Sequence, residues 1–171
     1  MTERDEPVDL PAYGGTPDRG VASSADPASG ATGDVVEVLT AERSKLERLF
    51  AEMLDLLDRS EVDTARLRWG GIVRESLEYE AAKRRVVYPE VQRRPGGEDV
   101  AKEQQRQDEL MRRLQDFDAL NPDIDADAVR SIIDLARRHQ AGEAEVLLPR
   151  LAELPVDERA TLGEDLRQVM G

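Results

Sequence analysis

From Asp34 onward, apolar residues recur at the three- and four-residue spacing that places them on one face of a helix. Leu39, Leu46, Phe50, Met53 and Leu57 mark a first helix. It opens on the capping-box-like Asp34-Val-Val-Glu37 and ends near Asp58. Ser60-Glu-Val-Asp63 is a short connection, with Asp63 placed to cap the second helix. Trp69, Ile72, Val73, Ser76, Tyr79, Lys83, Val86 and Val87 define that helix, which runs toward Pro89. Arg94-Pro-Gly-Gly97 breaks the pattern, because proline removes a donor and paired glycines disfavour helix. Val100, Gln107, Leu110, Met111, Leu114 and Phe117 carry a third helix, and Asn121-Pro-Asp makes another turn. Val129, Ile132, Ile133, Ala136, His139, Glu143, Val146 and Leu147 carry a fourth to about Glu153. Beyond Pro155, Leu162, Leu166 and Val169 form a shorter amphipathic segment suited to pack across one end. Four long helices joined by short turns predict an all-α, up-down-up-down antiparallel four-helix bundle with a short C-terminal helix.

Each apolar stripe is interrupted near its middle by polar residues. Arg43 falls on the buried line of the first helix, between Leu39 and Leu46. The second helix places Tyr79 and Lys83 there, the third Gln107, and the fourth His139 and Glu143. In an antiparallel bundle these positions meet at about one level, as a buried polar network. His139 is the only histidine, and with Glu143 four residues on it can share a metal ion. The frame around this pair occurs twice: Tyr79-Glu-Ala-Ala-Lys83 leading to Pro89 parallels His139-Gln-Ala-Gly-Glu143 leading to Pro149. Glu75, Glu78 and Glu80 flank the inward line and read as a solvated face, and Trp69 reads as packing against a neighbouring helix end.

Composition narrows the chemistry. Residues 1–33 are rich in Pro, Gly, Ser, Ala and Asp, which predicts a disordered acidic tail ahead of a domain spanning 34–171. A net charge of -13 argues against nucleic acid as a partner. Without cysteine there is no thiolate ligand or thiol nucleophile, and the lone histidine has no serine arranged around it as a triad. No apolar run approaches the roughly 20 residues of a membrane span, and the acidic N-terminus lacks the form of a signal peptide, so the expected location is the cytoplasm.

Asp34-Val-Val-Glu-Val-Leu-Thr-Ala-Glu-Arg-Ser-Lys-Leu-Glu-Arg-Leu-Phe50, the Val-Val-Tyr-Pro89 and Val-Leu-Leu-Pro149 ends, and Leu-Gly-Glu-Asp-Leu166 together resemble the hemerythrin family, specifically its bacterial HHE cation-binding branch. The resemblance spans the whole region from residue 34 to about 170. It implies a four-helix bundle holding two iron ions through one His on the first helix, His-x-x-x-Glu on the second, one His on the third and His-x-x-x-Glu on the fourth. Members bind or sense dioxygen, nitric oxide or iron. Carried onto this chain, the first-helix ligand position holds Arg43, the second-helix pair is Tyr79 and Lys83, and the third-helix position holds Gln107. Only His139 and Glu143 keep the ligand types. Charged Arg and Lys cannot ligate iron and would repel a dication.

The resemblance thus implies a degenerate, non-enzymatic member with no cofactor, an interaction or regulatory module for a protein partner. In this reading Glu143 pairs with Lys83, Arg43 or both, and Tyr79, Gln107 and His139 complete the network. A second reading keeps one iron or other divalent cation on His139 and Glu143, helped by water or by Glu42 or Glu47. A third, the di-iron oxygen chemistry of the family, requires a ligand set remade from other residues.

Overall fold

The computed structural model describes residues 33–95, 98–120 and 125–171. Residues 1–32 of the tail read over 1–33, and the Asn121-Pro-Asp turn, lie outside the described residues. Five helices follow one another: α1 (Val35–Asp58), α2 (Val62–Gln92), α3 (Glu98–Leu120), α4 (Ala126–Ala152) and α5 (Val156–Met170).

The capping box forms as its residues dictate. Asp34 Oδ1 accepts from the amides of Val36 (2.9 Å) and Glu37 (3.2 Å), and Glu37 Oε2 accepts from the Asp34 amide at 3.1 Å. Both partners thereby satisfy donors that no helical turn can reach. At the other end of α1 the chain reverses through Ser60, whose φ of 60° is left-handed. The Ser60 and Glu61 amides donate to the carbonyls of Leu57 and Leu56, at 3.1 and 3.0 Å, in a Schellman closure. This tight turn starts α2 earlier than Asp63 would. Glu61 is the cap residue without a side-chain cap bond, and Asp63 lies in the first turn, where its charge still opposes the helix dipole.

The second helix, read as running toward Pro89, continues past it, and the fourth encloses Pro149 as its reading to about Glu153 requires. Pro89 and Pro149 each sit three residues before the last residue of their helices, Gln92 and Ala152. A missing N–H this near a C-terminus frees one carbonyl and leaves a last turn able to continue. The repeated frame therefore ends both helices alike.

The helices pack as a ring in which α1 meets α2 and α4, and α3 meets α2 and α4, while α5 lies on α1 and α2. Leu39, Leu46, Phe50 and Met53 of α1, Ile72, Val73 and Val87 of α2, Leu110 and Leu114 of α3, and Ile133, Leu147 and Leu151 of α4 make one buried core. Trp69 packs edge-on against Phe117, ring centroids 5.7 Å apart at 83°, which joins the start of α2 to the end of α3. Gly163 on α5 lies against the backbone that opens α1, and Arg167 donates to the Gly33 carbonyl at 2.8 Å. Among the described residues, no helix is long and apolar enough to cross a membrane.

Candidate functional site

The polar residues that interrupt the stripes converge on one ammonium. Lys83 is fully buried at mid-bundle on α2. Its Nζ lies 2.5 Å from Glu143 Oε1 on α4 and 2.9 and 2.8 Å from Glu80 Oε1 and Oε2 on its own helix. The Tyr79 ring covers the same ammonium, with its centroid 4.4 Å away. From α4, His139 Nε2 reaches Glu143 Oε1 at 3.2 Å and Glu80 Oε2 at 3.3 Å. From α3, Gln107 Nε2 donates to the Glu80 carbonyl (2.8 Å) and to Glu80 Oε2 (2.9 Å). Tyr88 donates its hydroxyl to Glu143 Oε1 at 3.0 Å, and Tyr79 donates its own to the Leu39 carbonyl of α1 at 3.4 Å.

The structure thus brings together Tyr79, Lys83, Gln107, His139 and Glu143, and it leaves Arg43 out. Arg43 turns instead into a groove between α1 and α4, so Lys83 alone of the two cations pairs with Glu143. Glu42 and Glu47 do not reach the site either: Glu42 lies 3.5 Å from Lys45, and Glu47 is paired with Arg137.

Glu80 corrects the sequence reading most sharply. It is 2% exposed rather than solvated. It lies one residue past Tyr79 and three before Lys83, and a buried ammonium draws that carboxylate inward, where unpaired burial would cost several kcal/mol. Glu75 and Glu78 stay on the outer side, Glu75 bonded to Lys45. Sequence reasoning also missed Tyr88, fully buried, and Glu103, 1% exposed. A signal for Glu103 was present, since it lies one helical turn before Gln107. Its carboxylate rests over Gly142, in the space a Cβ there would fill, and accepts from Arg106 at 2.6 Å.

Electrostatics explain why the cluster holds its charges. Burial opposes ionisation of Glu143, but the Lys83 ammonium and the His139 ring outweigh it and hold the carboxyl down at about 2. Glu80 is likewise lowered, against its burial, by Lys83 and His139. Burial lowers and the two carboxylates raise Lys83, with a net upward shift. Burial also works against the His139 cation, yet its bonds to Glu143 and Glu80 lift it to about 9. Burial and the neighbouring carboxylates push Tyr88 up. At neutral pH an ammonium and an imidazolium face two carboxylates, and the cluster carries no net charge. Nε2 of His139 faces both carboxylates, and Nδ1 has no hydrogen-bond partner among the described residues.

This arrangement sets a pH window for stability. Because His139 is raised from 6.5 to about 9 on folding, its contribution is complete below pH 6.5 and is lost as pH climbs through 9. Because Glu143 falls from 4.5 to about 2, its contribution is complete above pH 4.5 and is lost as pH drops toward 2. The melting temperature of the folded chain should accordingly peak between these limits, and His139→Gln should flatten the alkaline limb while moving the acid limb to higher pH, because the ring helps hold Glu143 down. An alkaline limb identical in the variant would remove His139 as its cause.

Glu80, His139 and Glu143 each offer one ligand atom, all within 4.8 Å of one another. Such a triad is of the right kind for a divalent cation, but the Lys83 ammonium lies 2.5 to 3.5 Å from an atom of each member. A dication there would sit against a buried positive charge. Gln107 turns its amide nitrogen, a donor, toward Glu80.

A helical bundle with a carboxylate–histidine centre between its helices has the architecture in which metal sites are built from side chains on facing helices. The family described as the hemerythrin HHE cation-binding domain matches residues 34–151, and the chain belongs to that family. The match covers α1 to α4 and stops short of α5. Comparison with curated proteins and with solved structures gives no match.

Proposed function

We propose that this chain is a hemerythrin-family bundle in which a lysine has taken the place of the metal, and that it serves as a metal-independent interaction or regulatory module in the cytoplasm rather than as an enzyme. The observation that carries this reading is the Lys83 ammonium, 2.5 Å from Glu143 and 2.8 Å from Glu80, at the centre of the remaining ligand-type residues. Its charge does for the carboxylates what a cation would do, and it requires nothing from outside the chain. The same burial speaks against catalysis, because a centre whose residues are at most 2% exposed offers little access to a substrate. The partner would be another protein, met by the outer faces of the bundle.

Elemental analysis after expression in iron-supplemented medium, with His139→Ala alongside, tests this reading. Neither protein should carry stoichiometric metal, and neither should absorb as oxo-bridged iron does. One equivalent present in the parent and lost on substitution would instead establish a mononuclear site. The convergence of Glu80, His139 and Glu143 favours that second reading. It requires Lys83 to leave the centre or give up its proton.

A further inference from the structure

Arg43, left out of the buried cluster, lines a groove of about 530 Å³ between α1 and α4. Its Nε is buried and has no hydrogen-bond partner, and no ion pair reaches its guanidinium among the described residues. A buried donor in that state is costly, while the rest of this half-buried guanidinium stays open to a ligand. Gln140 lines the same groove, buried to within 7% exposure, and its side-chain amide has no hydrogen bond to any described residue. The groove is therefore furnished with a guanidinium fork and an amide that the fold leaves unused.

The remaining lining determines what would fit. Arg137 is committed to Glu47, with Nε 3.1 Å from Oε2 and a second, shorter bond from Nη2 to Oε1. That pair cancels, so the groove carries the single positive charge of Arg43 in a chain of net charge -13. A monoanion matches it, whereas a phosphate dianion would be held by one charge and repelled by the surrounding surface. A guanidinium binds a planar carboxylate through two parallel bonds. Thr40 Oγ1 and Ser44 Oγ also line the groove, and both have spent their protons on backbone carbonyls, those of Val36 (2.7 Å) and Thr40 (2.9 Å). Their oxygens can only accept, so they suit a ligand that brings a donor of its own.

We infer that the α1–α4 groove binds a small hydroxycarboxylate monoanion, with its carboxylate on Arg43 and Gln140 and its hydroxyl directed to Thr40 or Ser44. The inference stands on the groove alone and holds whether or not the buried cluster takes a metal. It would give the bundle a small-molecule input one residue from His139.

Lactate is the probe, titrated into the full ¹⁵N-labelled chain at fixed ionic strength in a buffer free of carboxylates, with inorganic phosphate as comparator. The Arg43 Nε–H and the Gln140 side-chain amide should shift together and saturate, and lactate should bind more tightly than phosphate. Arg43→Gln should weaken lactate at least about tenfold, as loss of a charged bidentate contact requires, read on the Gln140 amide. Gln140→Leu, read on Arg43, provides the second variant should the first fail to fold. No saturable shift, equal shifts in parent and variants, or phosphate binding tighter than lactate would each overturn the assignment. Metal analysis of the same samples reports on the buried cluster separately, so failure of one reading leaves the other measurable.

Discussion

Replacing Lys83 by methionine is expected to cost the fold about 3–5 kcal/mol at neutral pH, the range for removing one partner of a buried ion pair. The methionine fits the volume of the lysine stem and leaves the charge balance broken. Glu80 and Glu143, 2% exposed each, would then face one another with only His139 between them. One carboxyl must take up a proton, or water must enter the bundle, and both routes draw on the stability of the native state. Glu143→Gln should cost less, because Glu80 still holds both Nζ and His139 Nε2 in its absence. Urea denaturation of the two variants beside the parent measures this order.

The same substitution carries a second expectation. With the ammonium gone, Glu80, His139 and Glu143 keep donor atoms within 4.8 Å of one another. Zinc or manganese should then stabilise Lys83→Met and leave the parent unchanged. A cation present at a hundred times its dissociation constant would restore about 2.7 kcal/mol. A variant as stable as the parent without metal would mean that Lys83 contributes no net pairing energy, and the role of the lysine as a resident cation would fail.

Gly163→Ala is expected to cost about 3 kcal/mol, at the upper end of overpacking, by pushing α5 away from the start of α1. A Cβ at this position would lie 2.6 Å from the Gly33 carbonyl oxygen and 2.9 Å from both Asp34 C and Val35 N. Those are backbone atoms, and they cannot rotate aside as a side chain would. They are also held by the capping box of α1, so relief must come from α5 itself. Moving α5 would pull Leu166 out of the core and break the Arg167 bond to the Gly33 carbonyl. Thermal unfolding checks the loss, and a protease-sensitive α5 in an otherwise folded bundle would locate it. Gly142→Ala makes a useful contrast, since the atoms in its way belong to the Glu103 side chain, which can swing toward Arg106 at smaller cost.

The number, order and approximate limits of the helices were legible in the sequence, because apolar periodicity and capping chemistry are local. The capping box at Asp34 needed only residues three apart. Five of the polar residues at mid-helix were legible for the same reason: Tyr79, Lys83, Gln107, His139 and Glu143 interrupt their own apolar stripes. What each of them touches was decided by the tertiary structure. Glu80 and Arg43 show why. Glu80 lies beside the predicted inward line and Arg43 upon it, so helical phase alone puts the first outside and the second inside. A long side chain spans more than the angle between adjacent stripes. Its final direction follows the field of residues on other helices: the Lys83 ammonium draws Glu80 inward, while Arg43 lies in the α1–α4 groove beside the Arg137–Glu47 pair. The sequence by itself determined a four-helix bundle with a polar middle. Only the packed bundle decided that this middle is centred on an ammonium, because charge pairing across helices acts at distances that no periodicity along one helix records.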